Sequence, residues 1–481
     1  MATETAESAS KRPASLRSWL IYGLMALATV ALFLLIRSQG EGFAVTAPAV
    51  QAAAPLTGGG TFLHLLLALA AIIVLGRLLS RLFAHLSQPP VIGEVVAGIL
   101  LGPSLVGPRL SALVLPPSVG PYLGVIAQLG VVLYMFIVGV ELNPALLKRR
   151  AQATLIISHT SIFLPFLMGA GLALYLYPRY SSGSVSFTSF ALFLGVAMAI
   201  TAFPVLARIL TDYRIARTRL GVLALSCAAI GDVTAWCLLA FVIGVAKAEM
   251  GQGLYVAAGA LGYILLMYLA GRPLMGWITR HYERQTDTAE FAVTLIFVAL
   301  LLSALATEAI GIHAIFGAFL LGCVIPWDSA VARTLLHRLE SVVTVLLLPA
   351  FFAYTGMRTR LDLLTQPSDW LICGMIVLVA TLGKTGGAFA AARLTGLGSR
   401  NAAMLGTLMN TRGLMELIVL NVGLELRVIT PALFSIMVLM ALVTTALTSP
   451  VLRYLRARPV PAGETDMLAD QLAGEESIEG F

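Results

Sequence analysis

Four ionisable residues fall deep inside long apolar runs of this chain: Asp232, Lys384, Arg412 and Glu416. A charge at such depth is costly and marks function unless a partner neutralises it. Asp232 stands in SCAAIGDVTAWCLLAF, with no other charge within ten residues. An isolated carboxylate there takes up a proton or a cation in competition; neutralisation by a fixed partner is the structural alternative. Lys384, in TLGKTGGAF, is the one lysine at the centre of a run and the natural partner for Asp232. A cation that drew the carboxylate away would leave the lysine free to release its proton; the alternative is a purely structural salt bridge. Arg412 and Glu416 are four apart and share one helical face, so they read first as a structural pair and second as part of a cation path.

Charges and polar groups nearer the ends of runs carry weaker signals. Glu94 and Arg208 lie toward the inner side, either as snorkelling residues or as part of an inner funnel. Glu308 and His313 sit at the outer boundary of a short hairpin over 289–326. His313 titrates in the neutral range in principle, but a loop position favours no role. The four cysteines all lie in apolar runs without metal-ligand spacing and read as packing residues.

The elements that must position these groups are membrane helices. Of 481 residues, 59% are hydrophobic and 11% are charged, whereas a soluble domain carries roughly 25% charge. That excludes an ordinary soluble enzyme, and no nucleophile–base pairing, metal cluster or phosphate loop argues for catalysis or a cofactor. The runs do not alternate apolar and polar residues, so a β-barrel is excluded as well. The fold class expected is an all-α polytopic membrane protein with about 14 transmembrane helices. They fall roughly at 19–36, 61–86, 91–108, 121–141, 152–177, 187–211, 218–246, 253–276, 289–309, 311–326, 339–357, 369–392, 401–424 and 430–452.

Placing the N-terminus inside puts 21 Lys/Arg in inner loops and seven in outer loops, with Arg208, Lys384 and Arg412 within spans. This asymmetry satisfies the positive-inside rule and accounts for the net charge of +7 without nucleic-acid binding. Three regions follow. Residues 1–60 hold an N-terminal tail, an extra uncleaved helix and an external loop. Residues 61–452 form the transmembrane domain, and residues 453–481 form a short acidic cytoplasmic tail. No room remains for a soluble regulatory domain.

The spans repeat. AGILLG (97–102) aligns with GAFLLG (317–322), Gly139 with Gly356, and TAFPVLARIL from Thr201 with TRGLMELIVL from Thr411. The offsets are 220, 217 and 210, and each pair is seven spans apart. Seven is odd, so partners cross the membrane in opposite directions, as in secondary transporters. Pro204 and the Asn410–Gly413 stretch sit mid-span at corresponding positions. Two interrupted helices would expose backbone groups that hold ions at the midplane; a plain proline kink is the alternative.

Five strings resemble the monovalent cation:proton antiporter superfamily, in its Kef-type and plant cation/proton-exchanger branch. They are QPPVIGEVVAGILLGPSLVG (88–107), AITAFPVLARIL (199–210), AAIGDVTAWCLL (228–239), GIHAIFGAFLLGCVIP (311–326) and LMNTRGLMELIVLNVG (408–423), in order across 61–452. The resemblance implies a sodium/proton antiporter fold with two crossed discontinuous helices through Thr201 and Asn410–Arg412. It also implies a homodimer in the bilayer, with core and dimerisation subdomains that move by an elevator mechanism. It places the ion-binding aspartate on Asp232 and the core lysine on Lys384. One departure is Gly231, where the family usually has Asp, Asn or Gln; the missing second carboxylate leans toward electroneutral exchange. A second is the lack of the large cytoplasmic domain many relatives carry.

The expected function is exchange of H+ for K+ or Na+ across a bacterial inner membrane, with both termini cytoplasmic. Asp232 and Thr201 would bind the ion with Lys384 beside them; Asn410, Thr411, Arg412, Glu416 and Pro204 would support the core. Two rivals are a gated cation channel of the same fold and a proton-coupled exporter of an organic cation or ionophore complex, for which Gly231 would widen the site.

Overall fold

The computed structural model describes residues 59–86, 88–141, 151–181, 185–216, 218–247, 253–283, 289–326 and 328–457. The expected first span at 19–36 and the acidic tail lie outside the described residues. The regular elements among the described residues are all helices, because only a helix satisfies its own backbone within an apolar run. Ten helices are long and apolar enough to cross a membrane, and two shorter apolar helices, Pro90–Leu101 and Ala314–Val324, lie among them. The count of fourteen needs four further segments: the one at 19–36, these two short helices and the divided stretch at 399–425.

Close packing sorts the helices into two groups. One holds α1 (Gly59–His85), α2 (Pro90–Leu101), α3 (Pro103–Val114), α4 (Gly120–Glu141), α11 (Ala289–Ile310), α12 (Ala314–Val324), α13 (Ala330–Val342) and α14 (Leu348–Arg358). The other holds α5 (Ala151–Tyr180), α6 (Phe187–Ala199), α7 (Phe203–Asp212), α8 (Arg219–Lys247), α15 (Pro367–Leu394), α16 (Ser399–Met409), α17 (Leu414–Glu425) and α18 (Pro431–Ala457). Between them in the chain run α9 (Gly253–Leu266) and α10 (Arg272–Glu283), joined by a π-helical turn.

The inverted repeat is visible in how glycines let backbones meet. A side chain on Gly356 of α14 would run into the backbone of Val95, Gly98 and Ile99 on α2. A side chain on Gly139 of α4 would run into the backbone of Phe319, Gly322 and Cys323 on α12. Exchanging the two halves of the repeat turns the first crossing into the second. Small residues at such crossings allow close van der Waals packing where no hydrophobic force drives helices together. The contacting glycines Gly98 and Gly322 are 224 residues apart, one helical turn beyond the offset of the aligned strings.

The third repeat pair is broken in both copies. After α6, Ile200 (φ −69°, ψ 141°) and Ala202 (φ −85°, ψ 92°) are extended, and α7 begins at Phe203. Pro204 therefore does not kink a helix. It stands in the first turn of α7, where its missing N–H would have had no helical partner. In the other copy α16 ends at Met409, and Asn410–Gly413 lead into α17.

Candidate ion-binding site at the helix crossing

The two breaks bond directly to each other. The Ala202 amide donates to the Thr411 carbonyl at 2.9 Å, and the Thr201 hydroxyl donates to the Met409 carbonyl at 3.1 Å. Thr201, Asn410 and Thr411 are all buried. Thr445 of α18 braces the second break, since its hydroxyl accepts from the Arg412 amide at 2.9 Å and donates to the Arg412 carbonyl at 2.8 Å.

The C-terminal end of α6 carries the partial negative charge of unpaired carbonyls. Two buried cations answer it. Arg412 donates to the carbonyls of Ala197 at 3.0 Å and Met198 at 2.8 Å. Lys384 bonds the next carbonyl, Ala199, and also the Ser161 carbonyl of α5 at 3.0 Å. Arg412 pairs with Glu416 one turn along α17, and neither side chain is exposed. The spacing of four led to that pair; the α6 carbonyls could not be foreseen, because they are more than 200 residues away in the chain.

Asp232 lies in α8 and is only 6% exposed. Both of its carboxylate oxygens are without a hydrogen-bond partner. Lys384 acts on it electrostatically, but the expected ion pair is not made, because the lysine bonds the two carbonyls instead. The Phe203 amide at the start of α7 acts on it as a backbone donor but falls short of hydrogen-bond geometry. A buried carboxylate without hydrogen-bond partners is costly in its charged form unless something positive meets it.

Three hydroxyl residues on α5 were missed in the sequence. Thr154, Ser158 and Ser161 are all buried. Ser158 donates to the Cys227 carbonyl of α8 at 2.9 Å, and its hydroxyl oxygen lies 3.8 Å from where a side chain on Gly231 would begin. Their spacing of four and three on one helical face was the available signal.

The outlying residues separate. Arg208 lines a cavity of about 340 Å³ with Gln88, Asp212 and Arg453, at the end that the charge rule assigns to the inside. There it pairs with Asp212 in an exposed i,i+4 contact at 3.1 Å. Glu94 is not among the residues lining that cavity; it faces α1 beside Gly76, within electrostatic reach of Arg77. Glu308 and His313 line a cavity of about 440 Å³ at the opposite end, with Gln128 and Glu425. Glu308 accepts the Ala314 amide at 2.9 Å and so closes the start of α12.

The chain is similar to several known proteins. The sodium/hydrogen exchanger transmembrane family matches residues 42–455. The Na(+)/H(+) antiporter NhaS4 of Synechocystis sp. is 44% identical over 406 residues, 83% of this chain and 98% of that protein. The K(+)/H(+) antiporter 1 of Saccharomyces cerevisiae is 33% identical over 392 residues, and the alignment covers 79% of this chain. The chain spans about half the length of that yeast protein and of the similar Arabidopsis thaliana cation/H(+) antiporters. In fold it is similar to the sodium proton antiporter MjNhaP1 of Methanocaldococcus jannaschii, with a TM-score of 0.59 and 17% identity over 86% of this chain and 100% of that one. With the match running through both broken helices and Asp232, this chain belongs to the sodium/hydrogen exchanger family.

Proposed function

We propose that the protein is an antiporter that exchanges H+ for Na+ or K+ at Asp232. The observation that carries this reading is a buried carboxylate with two unpartnered oxygens beside the crossing of two broken helices. Its charged form is costly without a counter-ion, so the empty, ionised site resists crossing and each crossing carries a proton or a cation. Competition for one carboxylate couples the two flows. Thr201 and the backbone carbonyls of the breaks complete an oxygen shell suited to a hard alkali cation.

With a single carboxylate and Gly231 before it, exchange is one for one and electroneutral. The two packing groups support an elevator motion in which the group holding α5–α8 and α15–α18 moves against the group holding α1–α4 and α11–α14. The protein works as a homodimer in a bacterial inner membrane with both termini cytoplasmic. Support for the orientation comes from the distribution of Lys and Arg among loops.

Asp232→Asn in proteoliposomes tests the reading. Cation-driven proton movement should be abolished, and unchanged transport would remove the central claim. In the parent protein, lowering the pH should raise the cation concentration for half-maximal transport while saturating cation restores the rate, because protons and cations compete for the same oxygens.

A further inference from the structure

Gly231 leaves the position beside Asp232 without a side-chain oxygen, and the crossing offers another. Asn410 is 4% exposed, and its side-chain oxygen has no hydrogen-bond donor. An acceptor buried without a donor is costly unless something positive meets it. Its place in the crossing is defined by its neighbours. The carbonyl of Met409, one residue before it, accepts from Thr201, and the carbonyl of Thr411, one residue after it, accepts from Ala202. Asn410 is thus bracketed by the two contacts that tie the breaks together, and the amide of Phe203, the next residue along from Ala202, acts on Asp232.

The charges around it favour a neutral ligand. Lys384, Arg412 and Glu416 surround the crossing, and each has bonds of its own. An amide oxygen attracts a cation without adding a further charge to the group formed by Asp232, Lys384, Arg412 and Glu416. It also fails to attract an anion, which would need donors.

We propose that Asn410 supplies the neutral side-chain oxygen of the alkali-cation shell completed by Asp232, and so helps set the choice between Na+ and K+. This rests on Asp232 as the exchange site. It makes Asn410 a binding residue rather than a support for the helix break.

The test measures half-saturation for Na+ and K+ in proteoliposomes, with thermal unfolding of the purified protein with and without each cation as a second readout. Asn410→Ala should raise half-saturation about tenfold, the loss of roughly one good contact, and should erase most of the cation-dependent rise in Tm. Asn410→Gln moves the oxygen by one methylene and should shift the ratio of Na+ to K+ half-saturation. If Asn410→Ala matches the parent in both readouts while Asp232→Asn is inactive, the inference fails and the exchange site stands. If Asp232→Asn transports normally, both fail. Where Asn410→Ala does not fold, an unchanged Na+/K+ ratio in Asn410→Gln overturns the inference and a shifted one upholds it.

Discussion

Arg412 and Arg208 show how differently one residue type can serve in one chain. Arg412 is fully buried, closes the carbonyls of Ala197 and Met198, and pairs with Glu416. Removing it leaves a buried carboxylate and two carbonyls without partners, a loss of about 3–5 kcal/mol. Arg208 makes an exposed pair with Asp212, of a kind that contributes about 0.3–0.5 kcal/mol. Thermal unfolding in detergent should therefore show a large drop in Tm for Arg412→Ala and a shift near the error of the measurement for Arg208→Ala. Equal shifts would mean that Arg412 does not hold the end of α6.

At the scale of the element, glycine has two meanings here. Gly139 and Gly322 let α4 and α12 touch backbone to backbone, and Gly98 and Gly356 do the same for α2 and α14. Gly322→Ala forces those backbones apart and should cost about 1–3 kcal/mol, as overpacking does. Gly231 lies in α8 with ordinary space around it, its nearest neighbour being the Ser158 hydroxyl at 3.8 Å. Gly231→Ala should be neutral or gain about 0.5–1 kcal/mol through helix propensity. Comparing the two variants by Tm and by elution as a single species checks the contrast. A destabilising Gly231→Ala would mean that α8 is more tightly packed than its neighbours indicate.

For the whole molecule, the question is how the two packing groups stay connected. At the end opposite Arg208 they meet through polar contacts: Arg358 of α14 donates to Asn421 of α17 at 3.1 Å and lies 3.4 Å from Glu425. Asn421 donates in turn to Thr355 of α14 at 2.9 Å, and the Arg360 amide donates to Ser435 of α18 at 2.7 Å. If transport requires the groups to slide past each other, these contacts must part in every cycle. Arg358→Cys with Glu425→Cys, in a chain whose four native cysteines are replaced, allows a cleavable thiol cross-linker to hold them. Transport should stop on linking and return on cleavage; undiminished exchange through the link would exclude the elevator motion. Relieving the contact instead, with Arg358→Ala, should change the turnover rate and leave cation half-saturation within about twofold, since it is far from the crossing in the chain and makes no bond to it.

The amino-acid sequence alone determined what depends on near neighbours and on the solvent. Apolar runs of bilayer length force helices, because lipid offers no partner for a bare backbone. Asp232 stood out because no other charge lies within ten residues of it, and the Arg412–Glu416 pair followed from a spacing of four. The inverted order of the repeat was legible because its copies keep similar strings seven spans apart. Tertiary structure decided the rest, since the remaining interactions join residues separated by long stretches of chain. Lys384 was expected to neutralise Asp232, yet it bonds Ser161 and Ala199, 223 and 185 residues away. Pro204 marks an interrupted helix in the sequence, and the break is there at Ile200–Ala202; the structure adds that Pro204 stands in the first turn of the half-helix that follows. The unpartnered oxygens of Asp232 and Asn410 became apparent only once every neighbouring donor had been placed, because an unmet hydrogen bond is a property of the packed whole.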